Sequence, residues 1–370
     1  MIGFSNRKIV VRYLSNIVLK FFLVFLFILF LIIFGNQIFL VINQSLKQGL
    51  FASEMFPLIL MKALRDTPFL ISLSFSLSII YALNKLYKSS EMFILINAGL
   101  SEMKLVKILS PLIFLLFLVV LILTTSIVPS INYKIDLIKQ EAKLRPDYIF
   151  FQEGVFQNFS ETNITFFSPN IIFSDGESSQ TLQNIFLHDQ DNNKIILAES
   201  GTKDIDRIEG RVFLNLFDGN IYENLDLESN KSPLITNFKK FKLKIFDQKN
   251  LKSEHTSPQS ESKTILNILY SKENKDNQEL LYRISIPLSL MLMSVISVFI
   301  SRTNPRSKRN YSLGFGLLMY IGYYNMIIYF KQAETFATVD NLLNFIALHG
   351  LFICFILFLM FARTNLIKKI

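Results

Sequence analysis

Histidine is the side chain best suited to acid–base chemistry or metal binding at neutral pH, and this chain contains three. His188, His255 and His349 are far apart in the sequence, in a predicted strand, a polar segment and an apolar stretch respectively. The phosphate-binding G-x-x-x-x-G-K-[ST] loop is absent, as are the H-E-x-x-H, C-x-x-C and G-x-S-x-G motifs. We therefore predict no catalytic site, no metal site and no cofactor, and we expect each histidine to be structural or on the surface.

Long apolar stretches must position whatever chemistry the chain performs. Of the 370 residues, 51% are hydrophobic and 18% are charged, whereas about 25% of residues are charged in an average globular protein. Six stretches without Asp, Glu, Lys or Arg approach the length that a helix needs to cross a hydrocarbon core of about 30 Å. They are Phe21–Ile42, Thr67–Leu83, Ile108–Val128, Ile284–Ser301, Tyr311–Phe330 and Asn341–Ala362. We predict six membrane-spanning α-helices, the second of which extends backwards through Pro57–Asp66.

Basic residues set the predicted orientation, because short loops rich in Lys and Arg stay in the cytoplasm. Such residues precede the first span, follow the sixth, and fill the loops after the second and fourth spans. The opposite short loops contain only Lys47 and Lys331. Both termini are therefore predicted to be cytoplasmic, with Ser130–Glu279 outside. The net charge of +9 is −5 in that segment and +14 in the remainder, so it reflects membrane topology, and we predict no nucleic-acid partner.

Ser130–Glu279 is predicted to be mainly β structure, because short alternating runs are separated by Gly, Pro, Asn and Asp. A helix over Ile131–Leu144 is expected to end at Arg145-Pro146, and the polar Ser253–Asn277 is expected to be a mobile return. The predicted strands are Ile164–Phe167, Ile171–Phe173, Ile185–His188, Lys194–Glu199, Arg211–Phe217, Asn220–Tyr222 and Phe238–Phe246. Strands of this number and length are typical of a sandwich, a jelly roll or an open barrel.

The last of these strands shows the clearest alternation. Phe241, Leu243 and Ile245 fall on one face, and Lys240, Lys242 and Lys244 fall on the other. A half-buried strand has this pattern, since successive side chains point to opposite faces of a sheet. Phe241 is therefore predicted to face inwards.

The loop Lys85–Lys107 contains its own helix signals. Ser89 or Ser90 can cap a short helix, and Glu91 would stabilise its positive end. Met92, Leu95 and Ile96 would share one face, Gly99 could end the helix, and Ser101 could cap the next one. The segment is either a solvated connector or a projection that fits a groove on a cytoplasmic motor.

Several motifs in this order resemble the LptF/LptG permease family. They are Lys85-Leu86-Tyr87-Lys88-Ser89-Ser90-Glu91, Ala98-Gly99-Leu100-Ser101, Tyr282-Arg283-Ile284 and Asn304-Pro305-Arg306. The last two resemble the LptF branch more than the LptG branch. The resemblance implies helices 1–3 in residues 1–129, with a coupling helix at about 88–100. It further implies a periplasmic β jelly-roll-like domain in 130–279 and helices 4–6 in 280–370.

The resemblance also implies a function and partners. The chain would be a permease subunit in a Gram-negative inner membrane, extracting lipopolysaccharide from the outer leaflet of that membrane and passing it to a periplasmic β-jelly-roll bridge. It would pair with an LptG-like sister permease, an LptB-like ATPase dimer that binds the ATP, and LptC-like and LptA-like jelly-roll proteins. Glu91 would dock on the ATPase within a coupling motif that includes Ala98, Gly99 and Ser101.

Substrate contacts are predicted on the first two spans and in the β domain. Lys47, Lys62 and Arg65 could attract the phosphates of lipid A, but such residues also snorkel to the interface, and Asp66 could neutralise Arg65. The aromatic residues proposed to meet acyl chains are Phe27, Phe30, Phe34 and Phe241. The first three are equally suited to contact ordinary membrane lipid.

Two other classes of protein remain as alternatives. A membrane-anchored enzyme acting on envelope lipids would need clustered acids or histidines at the membrane surface, and the sequence shows no such cluster. A scaffold that only binds partners in the envelope would need neither six spans nor the charged, capped loop. The transporter subunit, without catalysis of its own, is the favoured interpretation.

Overall fold

The computed structural model describes most of the chain, and all structural statements below concern these residues. They are residues 4–48, 51–143, 151–159, 163–173, 180–206, 209–224, 232, 234–247, 259–303, 311–332 and 338–368. The chain forms two compact units. One contains Met1–Ile38, Leu58–Ile135 and Pro258–Ile370, and the other contains Phe39–Pro57 and Asp136–Ser257.

The first unit is helical. The helices of the whole described chain are α1 (Phe4–Gln48), α2 (Ala52–Arg65), α3 (Thr67–Lys88), α4 (Glu91–Asn97), α5 (Glu102–Ile122), α6 (Val128–Lys143), α7 (Ile265–Tyr270), α8 (Asn274–Ile300), α9 (Ser312–Gln332) and α10 (Thr338–Lys368). Within the described part, six helical segments are long and apolar enough to cross a membrane: α1, α3, α5 with α6, α8, α9 and α10. The prediction of six spans is confirmed. The backward extension of the second span is instead a separate helix, α2, which ends just before Asp66.

Helices α3 and α8 form the centre of this unit. Most side chains of α3 between Pro68 and Tyr87 are buried, as are most of those on one side of α8. Serines on both helices lie in this interface, where small side chains allow the backbones to approach closely. By contrast, α1, α9 and α10 expose large apolar side chains such as Ile32, Leu318 and Phe358, as expected of surfaces that face lipid.

A π-helical turn over Leu123–Ile127 joins α5 to α6. Thr124 Oγ1 lies 3.1 Å from the carbonyl oxygen of Leu121 and 3.0 Å from that of Arg283 on α8. A π-helical turn interrupts the regular backbone hydrogen bonds of an α-helix, and such interruptions occur where a side chain makes a hydrogen bond outside that pattern. The predicted helix after the third span is confirmed as α6, which is continuous with that span, and its predicted end at Arg145-Pro146 lies outside the described residues.

The second unit contains an antiparallel sheet, which confirms the predicted all-β insert. Its strands are β1 (Gln157–Phe159), β2 (Ile164–Phe167), β3 (Asn170–Phe173), β4 (Gln180–Asp189), β5 (Lys194–Asp206), β6 (Arg211–Glu223) and β7 (Leu234–Asp247). The order in the described sheet is β1-β2-β4-β5-β6-β7. Strands β2 and β3 pair with successive parts of the same edge of β4. One apolar face is buried, with Phe166, Leu187, Leu214 and Leu216 in its core.

The predicted break at Asp218-Gly219 was wrong, because β6 continues through both residues. Asp218 adopts a left-handed conformation (φ 49°) without leaving the sheet. Gly219 pairs with Ala198 on one side and Phe238 on the other. A Cβ atom at Gly219 would collide with the carbonyl oxygen of Leu197. Glycine is thus required here by the close approach of a neighbouring strand rather than by a turn.

Candidate functional site

The predicted coupling helix is α4, a single short helix between α3 and α5. Met92 is fully buried, Leu95 packs against the helical core and Ile96 is 39% exposed. The three residues have the spacing of one helix face, as predicted, and burial decreases from Met92 to Ile96. The helix, at Glu91–Asn97, is shorter than the predicted range of about 88–100.

The ends of α4 agree in part with the predicted caps. Gly99 has φ +91° and follows the C-cap residue Ala98, as a left-handed C-terminal glycine should. Ser101 accepts a hydrogen bond from the backbone N–H of Lys104 at 3.3 Å and so caps α5. Ser90 occupies the N-cap position of α4 but, with φ 65°, makes no side-chain cap bond.

Glu91, the residue predicted to dock on a motor, has two hydrogen-bond donors within the chain. The hydroxyl of Tyr13 on α1 donates to Oε2 at 2.5 Å, and the hydroxyl of Ser89 donates to Oε1 at 3.0 Å. All three side chains are at the surface. The carboxylate is thus held in one orientation while its remaining lone pairs stay accessible to a further donor.

Two of the three cations predicted to attract phosphates, Lys62 and Arg65, have described side chains. Arg65 Nε lies 3.3 Å from Asp66 Oδ1, which is the alternative in which Asp66 neutralises Arg65. Gln37 on α1 donates to the other oxygen of Asp66 at 2.9 Å, a contact that sequence reasoning missed. Lys62 is 8% exposed, and Lys47 lies in α1 with its side chain outside the described part.

The predicted acyl-chain residues lie on two different surfaces. Phe27 is exposed on α1, and the rings of Phe30 and Phe34 are stacked with centroids 6.0 Å apart. In the sheet, Phe241 is half-buried against the apolar core and pairs with Leu216, while Lys242 on the other face is exposed. The alternation predicted for this strand is therefore confirmed.

Sequence reasoning missed a partly buried ionic cluster at the N-terminal end of α8. We call it the Arg283 cluster: Arg283, Glu279, Lys331, Glu261, Lys263 and Asp276. Arg283 is 1% exposed, and its Nε donates to Glu279 Oε1 at 2.8 Å. Its other nitrogens donate to three backbone carbonyls of the return segment, those of Ser260, Glu261 and Lys263.

These hydrogen bonds from Arg283 correct the prediction that Ser253–Asn277 is a mobile return. The correction applies to the described part of that segment, which begins at Gln259. The guanidinium has five donors in a fixed fork, and the return segment supplies carbonyl acceptors in a short 3₁₀ turn, Ser260–Ser262. Asn132 on α6 also donates to the carbonyl of Glu261, at 3.3 Å. The segment is therefore held to the helical unit through its backbone carbonyls. Because every residue carries a carbonyl, the polar side chains of this segment gave no sign of these contacts.

Lys331, at the end of α9, completes the cluster. Its ammonium group lies 2.7 Å from Glu261 Oε1 and 3.0 Å from Glu279 Oε2, above the ring of Tyr282. Burial disfavours the charged form of Glu261, but the Lys331 charge and hydrogen bond, with Arg65 and Arg283 adding to the field, hold its pKa below the ordinary value. The pair thus stabilises the ionised carboxylate.

The remaining pair joins the return segment to the first turn of α8. Lys263 donates to Asp276 at 2.7 Å, where Asp276 is fully buried, and to Glu273 at 3.1 Å. The hydrogen bond to Asp276 is the largest cause of the raised pKa of Lys263, with burial acting in the opposite direction. A positive charge at this position is therefore favoured.

His349 is the one predicted structural histidine that lies in an apolar span. Its Nε2 is 2.9 Å from Ser285 Oγ, and its Nδ1 is hydrogen-bonded to the hydroxyl of Tyr323. In a catalytic triad a nucleophile, a base and an orienting group are hydrogen-bonded in series, as Ser285, His349 and Tyr323 are here. However, Ser285 is only 2% exposed and faces neighbouring helices. The arrangement joins α8, α9 and α10. No group of three or more potential metal ligands occurs among the described residues.

Comparison with known proteins matches nearly the whole chain. A model of the family described as lipopolysaccharide export system permease LptF/LptG matches residues 12–362. Curated relatives include the lipopolysaccharide export system permease protein LptF of Escherichia coli K12 and that of Shigella flexneri. Each is 25% identical over 327 residues, which cover 85% of this chain and 84% of the relative.

Proposed function

The chain belongs to the LptF/LptG family of lipopolysaccharide export system permeases, and on that basis we propose that it is the LptF-like subunit of an ATP-driven exporter. It extracts lipopolysaccharide from the outer leaflet of a Gram-negative inner membrane and passes it to a periplasmic β-jelly-roll bridge. The chain hydrolyses no ATP itself. It needs an LptB-like ATPase dimer, an LptG-like sister permease, and LptC-like and LptA-like proteins that continue the bridge.

The observation that carries this proposal is the position of Glu91 on α4. The helix rests on the bundle through the buried Met92, yet it presents an oriented carboxylate at the surface. An ATPase that offers a basic side chain could dock there and pass on its movement, since a carboxylate pairs well with arginine or lysine. Ala98, Gly99 and Ser101 support this role by ending α4 and starting α5.

The membrane orientation is part of the same proposal. The loops rich in Lys and Arg support an orientation with both termini and α4 in the cytoplasm and residues of about 130–279 in the periplasm. The Arg283 cluster then lies at the periplasmic ends of α8 and α9. Lipopolysaccharide would enter beside α1 and α9, the first and fifth spans, and its acyl chains would follow the apolar face of the sheet.

Charge reversal at Glu91 tests the proposal. In Glu91→Lys we expect the chain to insert and pair with its sister permease, while co-purification of the ATPase falls, because two positive charges would face each other. Glu141→Lys, which reverses an exposed acid on α6, is the matched control and should retain the ATPase. Normal ATPase binding and normal export by Glu91→Lys would refute the coupling role.

A further inference from the structure

Tyr13 connects α1, the longest of the described helices, to the coupling helix α4. Its phenolic hydroxyl donates to Glu91 Oε2 at 2.5 Å across 78 residues of sequence. Tyr13 lies one residue before Leu14, which is 1% exposed, so the backbone around it is held against the bundle. A hydrogen bond to an ionised acceptor is shorter and stronger than one between neutral groups.

The segment of α1 that follows Tyr13 packs against the helical core and contacts α3 through aromatic side chains. Val18 is 1% exposed and Phe22 is 5% exposed. The ring of Phe21 meets Tyr81 with centroids 4.6 Å apart and lies 5.3 Å below the ammonium group of Lys85. Further along α1 the large side chains are mostly exposed. The helix therefore packs on the core most closely between Leu14 and Phe22, and Phe25, Leu26 and Leu29 continue this contact with partly buried side chains.

Helix α4 packs against the same apolar core. Met92 is completely buried in the core that also contains Leu14 and Tyr87. The ring of Phe93 meets that of Tyr87, with centroids 6.2 Å apart. A displacement of α4 would therefore act on the attached end of α1 through apolar contacts, and Tyr13–Glu91 adds a directional polar bond at the surface.

We propose that Tyr13 is a positioning residue that fixes α1 to the coupling carboxylate, so that α1 and α4 move together when the ATPase moves Glu91. The inference rests on the proposed function, since it requires Glu91 to contact the ATPase. Tyr13 does not replace the ATPase contact, because each carboxylate oxygen can accept more than one hydrogen bond. Ser89 donates to the other carboxylate oxygen of Glu91 but precedes Glu91 by only two residues. Its hydrogen bond therefore does not connect α4 to α1.

Tyr13→Phe removes only the hydroxyl and tests this role in the assembled transporter. We expect the ATPase to remain bound, and the lipid exported per ATP hydrolysed to fall by about two- to fivefold, the size expected for one exposed charged hydrogen bond. Tyr81→Phe is the control, because Tyr81 contacts α1 through its ring. Its export per ATP should equal that of the unaltered chain.

A distance measurement separates mechanical coupling from a loss of stability. Spin labels replace Ile9 on α1 and Ile94 on α4, which are 65% and 71% exposed, in a Cys354→Ser background. The distance between the labels should be the same in the nucleotide-free and ATP-bound states, and in Tyr13→Phe it should differ between these states. A constant distance in Tyr13→Phe, together with unchanged export per ATP, would overturn the inference. If Glu91→Lys retains both ATPase binding and export, the coupling role of Glu91 in the proposed function fails, whatever the result for Tyr13→Phe.

Discussion

Ser76 on α3 and Ser297 on α8 share a buried hydrogen bond, with 2.7 Å between their Oγ atoms and 221 residues between them in the sequence. Both side chains are at most 1% exposed. The bond joins the three spans before the β insert to the three spans after it. The two halves of the permease are thus held together at their centre by small polar side chains, as is common between membrane helices.

Removing this bond should weaken the helical unit by a measurable amount. We expect Ser76→Ala and Ser297→Ala each to lower the free energy of unfolding by about 0.6 kcal/mol, the average for hydrogen bonds between membrane helices. The double variant should cost less than the sum of the two, because the partners interact directly. Ser130→Ala, which removes a local bond to the carbonyl of Ser126 in the adjoining π-helical turn, is the control. Strict additivity in denaturant titrations would refute a direct interaction.

Arg283 should be far more important for stability than an exposed arginine. We expect Arg283→Met to cost about 3–5 kcal/mol, because it removes one of the two cations that pair with the buried Glu279 and a donor to three backbone carbonyls. Arg302→Met is the control: its side chain is 50% exposed and lies 3.8 Å from Glu102, so a change of at most about 1 kcal/mol is expected. Thermal unfolding in detergent measures both. Equal effects of the two substitutions would contradict a structural role for the Arg283 cluster.

Glu261 should make the stability of the permease depend on acid. Its pKa in the folded chain lies below the ordinary value of 4.5, so folding favours the ionised form. This contribution is complete above the ordinary pKa and is lost as the pH falls through the lowered value. Glu261→Gln should therefore flatten the decline in melting temperature as the pH falls below the ordinary value of 4.5. Glu153→Gln, at an exposed residue of the other unit, should leave that decline unchanged.

The spans and their order could be predicted because burial in lipid imposes long uncharged runs that are visible in the sequence. The sheet could be predicted for a similar reason: alternation sets which face of β7 is buried. Gly99 and Ser101 were also identifiable, since the ends of helices depend on local residue types. The continuity of β6 through Gly219 was missed, because a glycine required by a neighbouring strand has the same sequence signature as a turn.

The polar contacts could not be predicted because they join distant residues. Nothing in the sequence pairs Tyr13 with Glu91, or Gln37 with Asp66. Arg283 was visible as part of a family motif, but its partners are largely backbone carbonyls, which every residue carries. Ser89 or Ser90 was predicted to cap α4, and Ser90 occupies the N-cap position in a left-handed conformation without a side-chain cap bond. Local signals therefore predicted the elements, and three-dimensional packing decided how their side chains pair.

Photo-crosslinking in the sheet tests the central claim, the passage of lipopolysaccharide along its apolar face, most directly. A crosslinker in place of Phe241 faces the core side, and one in place of Lys242, the next residue, faces the opposite side. We predict that the reconstituted exporter yields a lipopolysaccharide adduct at position 241 only during ATP hydrolysis, and none at position 242. Absence of an adduct at 241 under all conditions, or equal adducts at both positions without ATP, would contradict the account.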